Sequence, residues 1–160
     1  MSISAADLAQ YVIKPTLEYL GIHCLAAEHL LLGTAAQQSD FDPFCQRAQG
    51  IGIYQISSEQ HRSVWDDYLA YLPELASSIR GLASQRQFLM QPDLELKTNL
   101  VYSTAIAWAI YLQTDHPLPA ADDAEGLSHF WTETFCRPDK SITGQARQFS
   151  QWIKTYAVAS

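Results

Sequence analysis

Apolar and polar positions along the chain alternate mostly at helical spacing, and the predicted elements follow from where that spacing holds and where it breaks. From Ala5 to about Lys14, Leu8, Tyr11 and Val12 give a short helix an apolar side before Pro15 interrupts it. Leu17 to Ile22 adds a turn. Cys24 to about Ser39 reads as a helix with Leu25, Ala26, Leu30, Leu31, Ala35 and Ala36 near one face, which Gly33 weakens without ending. Periodicity then fails until Ser57. Asp42-Pro43 and the glycines at 50 and 52 mark loop or extended chain, and Ile51, Ile53 and Ile56 around Tyr54 suggest a short strand-like edge.

Ser57 or Ser58 before Glu59 and Gln60 signals a helix start, and a helix from there to about Leu72 sets Val64, Tyr68 and Leu72 on one face, with Pro73 ending it or opening the next. A helix over Leu75 to Leu89 turns Ile79, Leu82, Ala83 and Leu89 inward, and Gln91-Pro92-Asp93 is a turn. Asp93 to Gln113 is the longest periodic segment. Leu94, Val101, Ala105, Trp108 and Leu112 form one stripe and Leu96, Leu100, Ala107, Ile110 and Tyr111 fill adjoining positions, so this helix is expected in the middle of the molecule. His116-Pro-Leu-Pro119 is a rigid connector, and Asp122-Asp123 caps a helix carrying Leu127, Phe130, Trp131 and Phe135. After a break at Arg137-Pro-Asp, a last helix from about Thr143 to Tyr156 returns Ala146, Phe149, Trp152 and Ile153 to the core. No internal repeat, low-complexity tract or linker interrupts the pattern.

Length and composition narrow the picture. A chain of 160 residues is expected to be one domain that buries roughly 70% of its unfolded surface, without needing a metal or disulfide. It is 48% hydrophobic and only 17% charged, which suits a large core and a surface partly turned toward other proteins. The net charge of -7, with Lys and Arg scattered, argues against nucleic acid and anionic membranes as partners. No stretch is apolar for the ~20 residues of a membrane span, and MSISAADLAQYVIK lacks the pattern of a signal peptide. Cys24, Cys45 and Cys136 have no C-x-x-C spacing; free or buried thiols are the default, with one disulfide an alternative.

Leu30 to Ile56 concentrates the unusual chemistry. Gln38-Ser39-Asp40-Phe41-Asp42-Pro43 followed by Gly50-Ile-Gly52-Ile-Tyr54-Gln55-Ile56 resembles the lytic transglycosylase, goose-type lysozyme-like pattern, in which E-S-x-F-x-P precedes a loop and G-[L/I]-x-Q. The firm resemblance covers about 30 residues. More loosely, GIYQISSEQHRSVWDDYL, NLVYSTAIAWAIYL and PLPAADDAEGLSHFW are similar to segments of tailed-phage proteins with this core. The resemblance implies a mainly α, single lysozyme-like domain over residues 1–160, with the Val101 to Leu112 helix central and a short irregular or β-like segment near 50–56. It also implies a cleft lined by Gln38, Ser39, Gly52, Tyr54 and Gln55, with no cofactor and no metal.

Cleaving a glycosidic bond requires a carboxylic acid of raised pKa to protonate the departing oxygen. The resemblance implies that one Glu serves as acid and then base, that the glycines let backbone approach sugar, and that the Gln hydrogen-bonds it. Here the acid position holds Gln38, and an amide cannot deliver that proton; loss of general acid catalysis costs on the order of 100- to 10,000-fold or more. Asp40 and Asp42 are the nearest candidate substitutes. Glu59 is a further carboxylate, and Glu28 lies roughly 15 Å away along a continuous helix. Ser39 orients the neighbouring backbone or caps the helix end. Tyr54 and Trp131 offer rings for stacking on sugar, although an aromatic at helical spacing also reads as core.

His61 with Asp66 and Asp67 has the wrong spacing for a helical metal site and reads as a solvated helix face. His23, His29, His116 and His129 show no mutual pattern. The expected function is a phage virion component of the tail or baseplate, carried in the virion after synthesis in the host cytoplasm. Its expected partners are other virion proteins and peptidoglycan glycan, with little or no glycosidase activity. The alternative is an active transglycosylase or muramidase using Asp40 or Asp42.

Overall fold

The computed structural model describes residues 2–46, 50–135 and 142–158, with backbone alone at 142–144, 157 and 158. The fold is mainly α, with one two-stranded sheet. The elements in chain order are α1 (Ala5–Leu8), α2 (Lys14–Tyr19), α3 (Leu25–Ser39), β1 (Gly50–Ile51), β2 (Ile56–Ser57), α4 (Ser58–Asp67), α5 (Pro73–Arg80), α6 (Gln85–Met90), α7 (Pro92–Thr98), α8 (Leu100–Leu112), α9 (Ala124–Thr134) and α10 (Ile142–Trp152). A π-helical turn at Ala9–Ile13 joins α1 to α2, a second at Ile153–Val158 follows α10, and a 3-10 turn at Leu69–Tyr71 follows α4.

The core is organised on α8, in which Tyr102 through Tyr111 are all buried. Leu30, Leu31 and Ala35 of α3, Val64 of α4, Leu127 and Trp131 of α9, and Phe149 of α10 belong to the same apolar cluster. The packing of α3 against the C-terminal helix is close enough to need Gly33, since a Cβ there would lie 2.7 Å from Ile153 Cδ1 and 2.8 Å from Phe149 Cζ. The antiparallel pair β1–β2 sets Gly50 opposite Ser57 and Ile51 opposite Ile56. The helix start at Ser57 is a full capping box with Gln60, and Asp123 caps α9 by accepting from the Gly126 amide.

The predicted elements depart from the structure at four places. Pro15 does not interrupt the first helix: the preceding turn widens to π geometry, with Lys14 N–H bonded to Ala9 O, and Pro15 starts α2 where its missing N–H costs nothing. The Leu75 to Leu89 helix is two helices, because the carboxylate of the buried Glu95 takes the Ser84 hydroxyl (2.5 Å) and backbone amide (3.3 Å) and holds a turn there. Leu89 is therefore exposed rather than inward. The Asp93 to Gln113 segment breaks at Asn99, whose side chain caps α8 at the Tyr102 amide and donates to Leu82 O and Glu95. The helix expected to reach Leu72 ends at Asp67, so Val64 and Leu69 are buried while Leu72 is exposed. The break at Arg137-Pro-Asp lies outside the described residues.

Gly52 has φ +80, and a Cβ on it would stand 1.9 Å from the Leu96 carbonyl oxygen of α7. Gly21 has nearly the same φ, +79, but open space around it. Gly21→Ala is expected to cost about 1 kcal/mol of left-handed strain alone. Gly52→Ala should cost about 2–3 kcal/mol or more, because strain and a backbone clash add. Urea unfolding of both variants measures the difference, and equal losses would remove the close approach of the hairpin to α7 as its cause.

Candidate functional site

The Gln38 segment closes on the hairpin through side chains rather than through the sheet. At the end of α3, Asp40 and Phe41 take successive left-handed conformations, φ 53 and 63, which turn the chain out of the helix. In the last helical turn Ser39 donates its hydroxyl to Ile53 O at 2.6 Å, and Gln38 donates its amide nitrogen to Tyr54 O at 3.2 Å. Two neighbouring side chains thus grip two neighbouring carbonyls between β1 and β2. Ser39 Oγ also accepts the Asp42 amide, which fixes the exit loop.

The structure brings Gln38, Ser39, Gly52, Tyr54 and Gln55 together, with most of their polar groups turned inward. Tyr54 is fully buried, and its phenol donates to Thr104 Oγ1 (2.9 Å), whose own proton goes to Leu100 O. Burial pushes the phenol pKa far up, so the group stays neutral. Tyr54 therefore has no free face for a sugar ring. Gln55, at φ 50, donates its side-chain nitrogen to Gly52 O (2.8 Å) and Cys45 O (2.9 Å). Gly52 lets the hairpin approach α7, rather than a ligand. Trp131 is at the core end of its two readings: it is 1% exposed and stacks on Phe149 with ring centroids 5.0 Å apart.

The carboxylates offered as substitutes are poorly placed for acid catalysis. Asp40 is exposed just beyond the helix end. Asp42 accepts the Phe44 amide at 2.9 Å, which holds its carboxyl below the usual range, whereas a general acid needs the opposite shift. Glu59 is exposed in the first turn of α4, and Glu28 lines a cavity at the far end of α3 with Lys14 and Glu18. Cys24 and Cys45 are free thiols, and Cys136 lies outside the described residues.

His61 requires a correction. Far from a solvated face, its ring is 3% exposed, and its partners are not Asp66 or Asp67. His61 Nδ1 lies 2.9 Å from Asp93 Oδ1 and Nε2 lies 2.7 Å from the Tyr102 hydroxyl, while Asp67 takes the Ser63 hydroxyl. Asp93 also accepts from Ser58 Oγ at 2.6 Å, and Tyr102 accepts from Trp65 Nε1 at 2.9 Å. These contacts fix the protons. An ionised Asp93 can only accept, so Nδ1 carries the imidazole hydrogen; Tyr102 already accepts from Trp65, so its own proton goes to Nε2. The chain Asp93–His61–Tyr102–Trp65 ties α4, α7 and α8 together beside a cavity of about 230 Å³ walled by Trp65, Phe88 and Pro92.

The electrostatics agree with that tautomer. Burial lowers the His61 pKa by more than the hydrogen bond and charge of Asp93 raise it. For Asp93, burial raises the pKa, but the hydrogen bonds from Ser58 and His61, with the charges of His61 and Arg62, prevail and lower it. In sequence this network had no local signature, because Asp93 and Tyr102 follow His61 by 32 and 41 residues. The remaining histidines are peripheral or local: His29 bonds the Ala121 carbonyl and His129 pairs with Glu133 four residues on.

Comparison with family models, with curated proteins and with solved structures finds no match to this chain. Among the described residues no group of three or more His, Cys, Asp or Glu gathers as a metal site, and no helix is long and apolar enough to cross a membrane.

A pH dependence follows from His61. Its folded pKa is depressed below the unfolded value of about 6.5, so the unfolded chain binds the extra proton. The stability contributed is full above about pH 6.5 and falls as pH drops toward the folded pKa, at a rate approaching about 1.4 kcal/mol per pH unit. His61→Gln should remove that part of the slope in unfolding experiments between pH 7 and 5; an unchanged slope would place the proton elsewhere. Tyr102→Phe leaves Trp65 Nε1 and His61 Nε2 unpaired, and should cost about 1–3 kcal/mol at neutral pH.

Proposed function

We propose that the chain is a virion component of a tailed phage, from tail or baseplate, built on a degenerate lysozyme-like, transglycosylase-like domain and used in assembly rather than in cleavage. One observation carries the reading: the residue at the resembled acid position is an amide, and its N–H is already given to the Tyr54 carbonyl at 3.2 Å. An ionised carboxylate could not make that bond; its oxygen would face the carbonyl oxygen across the same gap. The position thus suits a neutral donor that closes the hairpin onto α3.

Assembly is favoured over glycan recognition because the groups expected to contact sugar are spent inside. Tyr54, Gln55 and Trp131 satisfy the core, the hairpin turn and an aromatic stack. The outward surface meanwhile carries large apolar side chains, including Phe44, Tyr11, Tyr71, Leu89 and Met90, each more than half exposed. Such residues on a sparsely charged chain suit contact with other virion proteins.

The test is muropeptide release from purified peptidoglycan. The wild-type chain is expected to release none, and Gln38→Glu is expected to stay at the same background, because Tyr54, Gln55 and Trp131 still face inward. Release by the wild type that Asp40→Asn or Asp42→Asn abolishes would overturn the reading in favour of an active enzyme. Gln38→Glu should also lose about 1–2 kcal/mol of stability at pH 7. The side chain can donate to Tyr54 O only when protonated, so its folded pKa is raised and part of the loss is recovered as pH falls through that value.

A further inference from the structure

We propose that the groove between α9 and α10 is an oxyanion-binding site, taking a carboxylate or phosphate group through Arg147 and Ser150. The groove encloses about 310 Å³, and its lining includes Glu125, Ser128, His129, Arg147, Ser150 and Lys154. The chain has 10 Lys and Arg against 17 Asp and Glu, so a groove with two cations against one carboxylate, Glu125, is a local excess of positive charge.

The cations are not equally available. Lys154 is 3.3 Å from Glu125, and His129 Nε2 is 2.9 Å from Glu133. Arg147 is exposed and has no ion-pair or hydrogen-bond partner among the described residues. Its planar fork of donors matches the two oxygens of a carboxylate or phosphate.

The second observation comes from the floor of the groove. Ser150 is 7% exposed, and its hydroxyl has no hydrogen-bond partner, a costly state for a buried donor. The neighbouring Ser128 has solved the same problem by donating to Ala146 O. An oxyanion held by Arg147 would accept the Ser150 proton once that side chain rotates toward the groove, and so remove the deficit. A cation fits worse, since the carboxylate on this groove, Glu125, is already paired with Lys154. The site is separate from the Gln38 junction and stands whether or not the assembly reading holds.

The experiment titrates the full, ¹⁵N-labelled chain with sodium phosphate and, separately, sodium acetate, at constant ionic strength set with sodium chloride. Amide shifts around Ser128 and Ala146–Gln151 should saturate. Arg147→Gln, an exposed change that leaves the core intact, should weaken binding about tenfold or more. Ser150→Ala should weaken it a few-fold. Tighter saturation by phosphate assigns the ligand as a phosphate; saturation by acetate with equal or greater affinity assigns a carboxylate. Linear, unsaturated shifts with both anions, or an affinity that Arg147→Gln leaves unchanged, overturn the proposal.

Discussion

Burying α8 on every side creates a constraint that the surrounding elements satisfy at Tyr102, Thr104 and Tyr111, while Ser103 Oγ and Trp108 Nε1 stay unpartnered among the described residues. The helix carries Tyr102, Thr104 and Tyr111 into a region without water, where each polar group must find a partner or cost on the order of 1–3 kcal/mol. Each finds it on a different element. Tyr111 donates to Thr34 of α3, Thr104 receives the Tyr54 phenol from the hairpin, and Tyr102 joins His61 and Trp65 of α4. At both threonines the hydroxyl proton goes to the carbonyl four residues earlier, which leaves the oxygen free to accept from the tyrosine. Apolar packing brings these elements to α8; the hydroxyl pairs fix their rotation and height against it.

The Gln38 junction is a consequence of the same geometry. Once Tyr54 is anchored on Thr104, the carbonyls of Ile53 and Tyr54 are presented toward the end of α3, and Ser39 and Gln38 meet them. The residues that carry the lysozyme-like resemblance are thus the residues that build this corner. A glycine is required where the hairpin approaches Leu96, a buried aromatic where it meets α8, and an amide where the turn must be tied to Cys45. The spacing of these residues follows from the corner they build.

What could be read from the sequence divides along the range of the interactions. The extent of α3, the burial of the helix after Leu100, the Ser57 cap, the Asp123 cap and the inward Phe149 were legible, because periodicity and capping are local. The break at Asn99 was not, since its cause is a side chain shared between Leu82, Glu95 and the start of α8. Leu89 was misplaced for a related reason: α5 ends at Arg80, buried Glu95 holds the turn at Ser84, and α6 starts on a new face. His61 was read with its sequence neighbours when its partners come from α7 and α8. At the Gln38 corner the sequence named residues that the structure does bring together, but whether Tyr54 and Gln55 face a groove or the core depends on α8, which no local pattern reports.

The amide at position 38 also bears on how such a chain holds its fold. A general acid must keep a proton in a half-buried site, and at neutral pH that arrangement stores unfavourable free energy whenever the group ionises. Gln38 keeps a shape close to that of Glu, supplies a permanent donor to Tyr54 O and has no ionised state to destabilise the corner. Catalytic sites commonly trade stability for chemistry, and a chain released from the chemistry can recover the stability without altering the backbone. Ser39 serves the same corner, because its bond to Ile53 O closes the hairpin whatever occupies position 38. A glycine, a tyrosine and a glutamine beside Gln38 are then what a structural role at this corner requires.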